Sequence, residues 1–314
     1  MNLLILKSIY ILRMKLINKI KNYINRRVLR TPGVEFFIEN KDLNLRKKHL
    51  NFWLDKARKN KSFKKYFFSE MTNNISETNF KIYNNNYKIT DEMFSSLSNN
   101  GLLIIENALP QQERSKILEY FDELKKNDKF EKNWLKKPFN PKFFDEVNEI
   151  MGPTSIYNFR VLNEYSSQFS NEIYGKIVEP TVEFRYLKQK ENSKEKKTKG
   201  ATYLHSDRFL PHFKLYYAPH EITIEDAPLE YVLSSHKINN NFINFYLNSE
   251  NFDETDKEFK NFNFEKKIVC VPENTLYVVF TNGFHKRSQF NGNSERSLVF
   301  LQYVERFNKL NYLF

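Results

Sequence analysis

Residue types that bind transition metals occur at a spacing that could bring them to one point. His205 and Asp207 are two residues apart, and His285 and Arg296 follow far downstream. At the end of an extended segment, residues i and i+2 point to the same side, so His205 and Asp207 can present an imidazole and a carboxylate together. With His285 as a third ligand, the set has two histidines and one carboxylate. This set suits non-haem Fe(II) and leaves coordination positions open for oxygen chemistry.

The alternative is that these residues cap turns or satisfy polar groups in the core without a metal. A single histidine in a sequence is more often structural than functional, and we expect this of His212 and His220, whereas His49 lies in a Lys-rich segment and is expected to be solvated. The combination of three candidate ligands at this spacing favours the metal site over that alternative.

Short apolar segments dominate the chain after residue 88. The segment Ile89–Thr90–Asp91–Glu92 is a helix-start signal, and residues 110–126 predict a helix. The candidate strands are residues 101–105, 155–163, 180–188, 201–205, 213–218, 229–233, 268–272, 275–280 and 297–304. Many short strands with few helices between them indicate a sandwich or barrel.

Three segments predict irregular structure on the surface. Residues 73–86 are rich in Asn and predict a loop, and residues 189–199 carry Lys and Glu with almost no apolar residues. Together with residues 237–267, the stretch 189–199 could form part of a lid over the predicted metal site.

The N-terminal part of the chain differs from the rest. Residues 3–28 predict a basic amphipathic helix with Ile and Leu on one side and Lys and Arg mainly on the other. Such a helix can lie on an anionic membrane surface or dock on the protein body, and amphipathicity alone does not separate the two. Residues 41–70 predict one or two further helices, and Met1 and Met14 are both candidate starts. We therefore expect a helical extension at residues 1–85 and a catalytic domain at residues 86–314.

Composition limits the classes of partner. The 314 residues carry a formal net charge of +12, which favours anionic partners, although Lys and Asn are abundant throughout. The Lys and Arg residues are scattered, and no recognised nucleic-acid motif occurs, so we expect no nucleic-acid partner. The single cysteine, Cys270, excludes an intrachain disulfide and fits a reducing, cytoplasmic compartment. Its apolar neighbours predict a buried, inert thiol.

The segments around the candidate ligands resemble one known family. The resemblance is carried, in order, by Asn100–Leu109, Tyr203–Asp207, Ala227–Lys237 and Pro272–Phe280, leading to His285 and Arg296. These segments resemble the phytanoyl-CoA dioxygenase family over roughly residues 88–305, although the family's proline and glycine before Ser235–His236 are missing here. We expect Ser235 and His236 to shape a turn or the rim of the pocket.

This resemblance implies a mainly β fold with flanking α-helices. Its core would be a double-stranded β-helix, or cupin-like jelly roll, with the N-terminal helices as an extension. The implied activity uses Fe(II), 2-oxoglutarate and O2 to hydroxylate an unactivated carbon, with release of succinate and CO2. His205, Asp207 and His285 would bind the iron, and Arg296 would pair with the distal carboxylate of 2-oxoglutarate, for which a guanidinium offers a two-donor fork. Arg185 is a further candidate for that anion, and Arg160 and Lys199 are weaker candidates for anion contacts.

The substrate class stays open at this point. A small-molecule or lipid-like substrate, anionic or not, is compatible with the sequence, and residues 3–28 could bring the enzyme to a membrane surface. The alternative is a non-catalytic jelly roll that binds an anionic ligand or a glycan on its basic surface. Turnover of 2-oxoglutarate that depends on iron would separate the enzyme from the binding protein.

Overall fold

A computed structural model describes most of the chain after residue 42. The described residues are 43–59, 61–68, 80–84, 88–126, 147–154, 156–189, 204–207, 212–240, 242–243, 247, 265–289 and 295–303. The predicted helix at residues 3–28 and the candidate anion contact Lys199 lie outside them. So do residues 190–199 of the predicted loop and most of the stretch 241–264.

The described chain contains five α-helices, one short 3-10 helix and ten strands. The helices are α1 (Leu43–Lys59), α2 (Lys61–Phe67), α3 (Asp91–Asn100), α4 (Gln111–Lys126) and α5 (Arg160–Tyr174), and the 3-10 helix is Ile156–Asn158. The strands are β1 (Ile82–Asn84), β2 (Leu102–Glu106), β3 (Val147–Thr154), β4 (Thr181–Gln189), β5 (Phe213–Ala218), β6 (Leu229–Val232), β7 (Lys266–Ile268), β8 (Thr275–Phe280), β9 (His285–Arg287) and β10 (Glu295–Gln302). Among these described helices, none is long and apolar enough to cross a membrane.

The strands form two sheets. The large sheet has the order β1-β2-β8-β5-β10-β4-β3, and the small sheet has the order β7-β6-β9. Neighbouring strands run antiparallel except for β1 and β2, which are parallel. Because neighbours in the large sheet are far apart in sequence, the chain crosses repeatedly between the two sheets. This arrangement is the predicted double-stranded β-helix.

An apolar layer lies between the two sheets. Alternate residues of β2, β5, β8 and β10 face the small sheet, because successive side chains of a strand point to opposite faces. This inner layer contains Leu102, Ile104, Tyr216, Tyr277, Val279, Leu298 and Phe300 from the large sheet, packed with Tyr231, Leu233, Val269 and Val271. The predicted metal ligands lie at this inner layer, as described below.

The opposite face of the large sheet is covered by helices. Leu103 and Val278 point to this side and belong to a second apolar cluster that includes Leu97 of α3, Ile117 of α4 and Phe169 of α5. Helix α5 begins at a point fixed by α4: both carboxylate oxygens of the buried Glu113 accept hydrogen bonds, each 2.9 Å long, from the backbone N–H groups of Val161 and Leu162. The helical layer thus stiffens the sheet that carries the site.

The described part of the N-terminal extension packs on the same core. Phe63, Tyr66 and Phe67 of α2 are buried, and the Phe67 ring lies 4.6 Å from that of Phe280 in β8, measured between centroids. The backbone N–H of Ile238 donates to the carbonyl oxygen of Phe67, at 2.8 Å. Helix α2 is therefore docked on the jelly roll, whereas the division at residues 85/86 remains a prediction.

Some predicted elements differ from the structure. The strand predicted at residues 155–163 is wrong for the described residues 156–163, since the 3-10 helix and the start of α5 lie there. The apolar residues Val161, Leu162, Tyr165, Phe169 and Ile173 recur every three or four positions, which is a helical period. The predicted loop at 73–86 contains the short strand β1, and strand β3 was not predicted.

Cys270 also differs from its prediction, because its thiol is exposed. Its neighbours Val269 and Val271 are buried, at 1% and 3% exposure. Strand alternation therefore turns Cys270 outward, and a purely apolar neighbourhood in sequence does not bury every residue in it.

Candidate metal centre

Backbone pairing places His205 opposite His285. The N–H of His205 donates to the carbonyl oxygen of His285 at 2.9 Å, and the N–H of His285 donates to that of His205 at 2.8 Å. Residues paired in this way across antiparallel segments carry their side chains on the same face. The two imidazole rings accordingly lie 4.6 Å apart between centroids.

Asp207 is held in place by the segment that precedes His285. Its backbone N–H donates to the carbonyl oxygen of Thr281 at 2.9 Å. The hydroxyl of Ser206 donates to the carbonyl oxygen of Asn282 at 2.8 Å. Asp207 Oδ1 lies 3.5 Å from Nε2 of His205 and 3.6 Å from Nε2 of His285. One donor atom from each of the three residues lies within 4.8 Å of the other two. The structure therefore brings together the three residues that the sequence singled out.

The protonation of His285 suits a metal ligand. Its Nδ1 lies 2.9 Å from the carbonyl oxygen of Gly283. A carbonyl oxygen only accepts, so Nδ1 carries the proton and Nε2 keeps its lone pair for a metal. Burial lowers the pKa of His285 and outweighs the opposing effect of the Asp207 carboxylate. The ring is therefore neutral at neutral pH, the form in which an imidazole binds metals.

The carboxylate of Asp207 is ionised although it is enclosed. Burial by itself would raise its pKa, but the positive charge of Lys214, together with the two nearby imidazoles, holds the pKa well below its usual value. Lys214 Nζ lies 2.6 Å from Asp207 Oδ2. This contact is an ion pair between the ammonium group and the carboxylate.

The donor set fits a divalent transition metal. Two imidazoles and one carboxylate converge, and Oδ1 of Asp207 faces the Nε2 atoms of both histidines. Ligands of this type from three residues leave further coordination positions open. No other group of three or more His, Cys, Asp or Glu side chains that could hold a metal occurs in the described ranges.

Arg296 lies on the same inner layer. It is buried on β10, opposite Leu187 of β4, and its Nη1 donates to the carbonyl oxygen of Ala227. Its charge acts on two tyrosines of the inner layer, Tyr216 and Tyr277. Tyr216 is also influenced by Asp207. Tyr216 therefore lies within electrostatic reach of both the metal ligands and Arg296.

Arg185 is engaged by a neighbouring carboxylate. Its Nη2 and Nε donate to Oε2 of Glu183 at 2.7 and 3.2 Å, and its guanidinium lies 4.2 Å from the centre of the Phe300 ring. Arg185 faces the same layer as Arg296, but its carboxylate partner makes it a weaker candidate for an anion. Arg160 lies on α5, where its side chain is exposed and pairs with Glu164, so it does not reach the site.

Three inner-layer residues near the ligands were missed in the sequence. Tyr216 and Tyr277 stack with their centroids 4.9 Å apart and their planes at 8°, and Lys214 is two residues from Tyr216 on β5. The period of two along Phe213–Ala218 places Lys214 and Tyr216 on one face. A lysine within an otherwise apolar strand was the signal available for this part of the site.

The other histidines with described side chains either make hydrogen bonds within the fold or are exposed to solvent. His212 is buried, and its ring nitrogens contact the Thr281 hydroxyl at 2.7 Å and the Tyr303 carbonyl oxygen at 3.1 Å. His220 is exposed. His236 is fully buried in a turn after β6, and its Nε2 donates to the carbonyl oxygen of Ser98 at 3.0 Å. The predicted turn at Ser235–His236 is confirmed, while His49 has no described side chain.

Comparison with known proteins gives structural neighbours only. The sequence matches no protein-family model and no curated protein. One solved structure that is similar in fold is the non-haem α-ketoglutarate-dependent carbocyclase SnoK from nogalamycin biosynthesis. It has 14% identity and a TM-score of 0.43, over 68% of this chain and 85% of SnoK.

Two other neighbours carry 2-oxoglutarate in their structures. HygX from Streptomyces hygroscopicus, with nickel and 2-oxoglutarate bound, has 16% identity and a TM-score of 0.38, over 68% of this chain and 86% of HygX. EctD from S. alaskensis, with 2-oxoglutarate and 5-hydroxyectoine, has 13% identity and a TM-score of 0.46, over 68% of this chain and 75% of EctD. At such low similarity, the functional argument rests on the geometry of the site itself.

Proposed function

We propose that this chain is an Fe(II)- and 2-oxoglutarate-dependent oxygenase that hydroxylates an unactivated carbon of a small-molecule or lipid-like substrate. The observation that carries the proposal is the convergence of His205, Asp207 and His285 on an inner layer that also holds the buried Arg296. The sequence resemblance to the phytanoyl-CoA dioxygenase family supports the same activity. Iron, when bound with 2-oxoglutarate and O2, supplies the oxidising power for hydroxylation, with release of succinate and CO2.

The side chains of this site have separate tasks in the proposed reaction. His205 and His285 would offer imidazole nitrogens, the ring of His285 being neutral, and Asp207 would offer a carboxylate that stays ionised. Arg296 would pair with the distal carboxylate of 2-oxoglutarate, since a guanidinium can donate two parallel hydrogen bonds to a carboxylate. Its burial strengthens that pairing, because water competes less for both groups.

The aromatic layer limits the access of water to this pocket. Tyr216 and Tyr277 are 6% and 1% exposed, and the edge of Tyr216 packs against the Phe300 ring at 4.6 Å between centroids. These packed rings would keep solvent from the reacting groups and help to orient the substrate. Burial raises the pKa of both tyrosines, so their hydroxyls stay protonated and can donate hydrogen bonds.

The test of this function is an anaerobic titration of the purified protein with Fe(II) and then 2-oxoglutarate. The expected result is a visible charge-transfer band that is lost in Asp207→Ala and in His205→Ala. His220→Ala is the matched control, because His220 is exposed and is not one of the three candidate ligands. A folded wild-type protein without the band would contradict the oxygenase and leave the non-catalytic binding protein as the better account.

Substrate turnover is followed by succinate release and mass spectrometry of the product. A mass increase of one oxygen atom is the expected outcome. Succinate release with a product of unchanged mass would indicate epimerisation instead of hydroxylation. A product lighter by two hydrogens would indicate ring closure at the same site.

We also propose that residues 3–28 bring the enzyme to anionic membranes, which would favour a lipid-like or anionic substrate. The support is the basic amphipathic pattern of that segment. Removal of residues 1–30 should abolish sedimentation with vesicles that contain an anionic lipid, without changing the charge-transfer band. Equal sedimentation of the full-length and shortened proteins would favour docking of this helix on the protein body.

A further inference from the structure

Lys214 is the cation nearest to the metal-binding carboxylate in the described structure. Its Nζ lies 2.6 Å from Asp207 Oδ2, whereas Oδ1 of the same carboxylate faces the two imidazole nitrogens at 3.5 and 3.6 Å. The two oxygens of Asp207 therefore have different surroundings. One faces the candidate metal position, and the other is held by the ammonium group.

The position of Lys214 is fixed by the sheet. It lies on β5, where its register partners are Val279 of β8 and Gln302 of β10. Its side chain is only 16% exposed. An ammonium group in such an enclosed place costs free energy unless a carboxylate is close, so the contact with Asp207 is a built feature of the core.

We propose that Lys214 is a positioning residue that offers the metal a single oxygen of Asp207. This inference rests on the proposed function, because it concerns the same metal site. A carboxylate can bind a metal through one oxygen or through both. If Lys214 holds Oδ2, the carboxylate occupies one coordination position, and the positions needed by a chelating 2-oxo acid and by O2 stay open. Without Lys214, Oδ2 is free to turn to the metal and take one of them.

The first readout is the number of water molecules on a bound metal, measured without any 2-oxo acid. Mn(II) is the probe, and water-proton relaxation reports how many waters it carries. With three protein ligands, Mn(II) has about three open positions. In Lys214→Met, the relaxation enhancement at equal Mn(II) saturation is expected to fall by about one third. In Lys214→Arg, which keeps a cation beside Oδ2, it is expected to stay at the wild-type value.

The second readout is the affinity for 2-oxoglutarate at saturating Fe(II), measured anaerobically from the charge-transfer band. Lys214→Met is expected to weaken this affinity at least 10-fold while Fe(II) binding is retained, and Lys214→Arg should restore it to within 3-fold. The Mn(II) measurement separates this role from a direct contact between Lys214 and 2-oxoglutarate, because a direct contact would leave the water count unchanged.

Lys286→Met is the matched control. Lys286 follows His285, its side chain is also 16% exposed, and it pairs with Glu230 at 3.3 Å instead of with a metal ligand. This variant should match the wild type in both readouts. Wild-type relaxation in Lys214→Met would overturn the inference, and so would equal changes in Lys214→Met and Lys214→Arg. If the wild-type protein bound neither Mn(II) nor Fe(II), the proposed function itself would fail, which is a distinguishable result.

Discussion

The ammonium group of Lys237 donates a hydrogen bond to the carbonyl oxygen of Tyr66, at 2.9 Å. Tyr66 is in the last turn of α2, where backbone carbonyls have no partner within the helix. Lys237 comes from the turn after β6, and both residues are buried. This bond therefore ties the N-terminal extension to the jelly roll at a place where water has little access.

Stability should rise with pH between about pH 7.5 and 9.0. Burial lowers the pKa of Lys237 to about 8, whereas a lysine in the unfolded chain titrates near 10.4. In this window the unfolded state binds more protons than the folded state, so the free energy of unfolding increases, by about 1 kcal/mol from this residue. Urea unfolding at the two pH values measures this rise in unfolding free energy. The rise should be absent in Lys237→Met. It should persist in Lys116→Met, where the substituted lysine lies on the exposed side of α4.

Arg296 and Arg185 should differ in their effect on 2-oxoglutarate. Arg296→Ala is expected to weaken its binding by about 10- to 100-fold, because a charge-assisted hydrogen-bonded pair is lost. Arg185→Gln should change it by less than about 3-fold, since Glu183 already engages that guanidinium. The charge-transfer titration at saturating Fe(II) measures both. A larger effect from Arg185 would exchange the roles of the two arginines.

Gly283→Ala should damage both the fold and the metal site. A Cβ at this position would clash with the hydroxyl of Tyr231 and lie 2.9 Å from its ring carbon Cζ. The carbonyl oxygen of Gly283 also orients the ring of His285. We expect a loss of about 2–3 kcal/mol in unfolding free energy, as for overpacking of a core, together with weaker metal binding.

A second substitution tests the cause of that loss. Tyr231→Phe removes the hydroxyl with which the new Cβ would clash. The double variant should therefore lose less unfolding free energy than the sum of the losses in the two single variants. Strictly additive effects would mean that the damage does not come from this contact.

Glu113→Ala should destabilise the helical layer without a direct effect on the site. It leaves two buried N–H groups at the start of α5 without acceptors, which costs about 1–3 kcal/mol. Thermal unfolding measures the loss. Glu119→Ala, on the exposed side of the same helix, is the control and should change the midpoint little.

The convergence of the candidate metal ligands could be predicted because an imidazole and a carboxylate two residues apart form a local signal. His205 and Asp207 are close in sequence, and few arrangements other than a metal site place an imidazole and a carboxylate side by side with a distant His and Arg. The strands with strong apolar character, such as Leu102–Glu106 and Thr275–Phe280, were also found. The helix signal at Thr90 is confirmed in detail, since its hydroxyl accepts from the N–H of Met93 at 3.3 Å.

The parts that could not be predicted depend on tertiary pairing. Val147–Thr154 carries Asn, Glu, Gly and Pro, so its strand β3 has little apolar signal and forms at the edge of the sheet by pairing with β4. The contact of Lys214 with Asp207 depends on the tertiary fold that brings β5 beside Asp207, and the sequence does not show this proximity. The helix at Arg160–Tyr174 was missed although its period was present, because its first residues are also good strand formers.

The hydrogen bond from Ser206 to Asn282 joins residues that are 76 positions apart in the chain. The whole candidate ligand set depends on this closure, since His205 and Asp207 lie at one end of the loop and His285 lies at the other. Closing so long a loop costs entropy before any contact compensates for it, so we expect the site to form late in folding. A metal that binds only the native arrangement would then act as a kinetic reporter, and its uptake during refolding would mark the moment at which the distant strands meet.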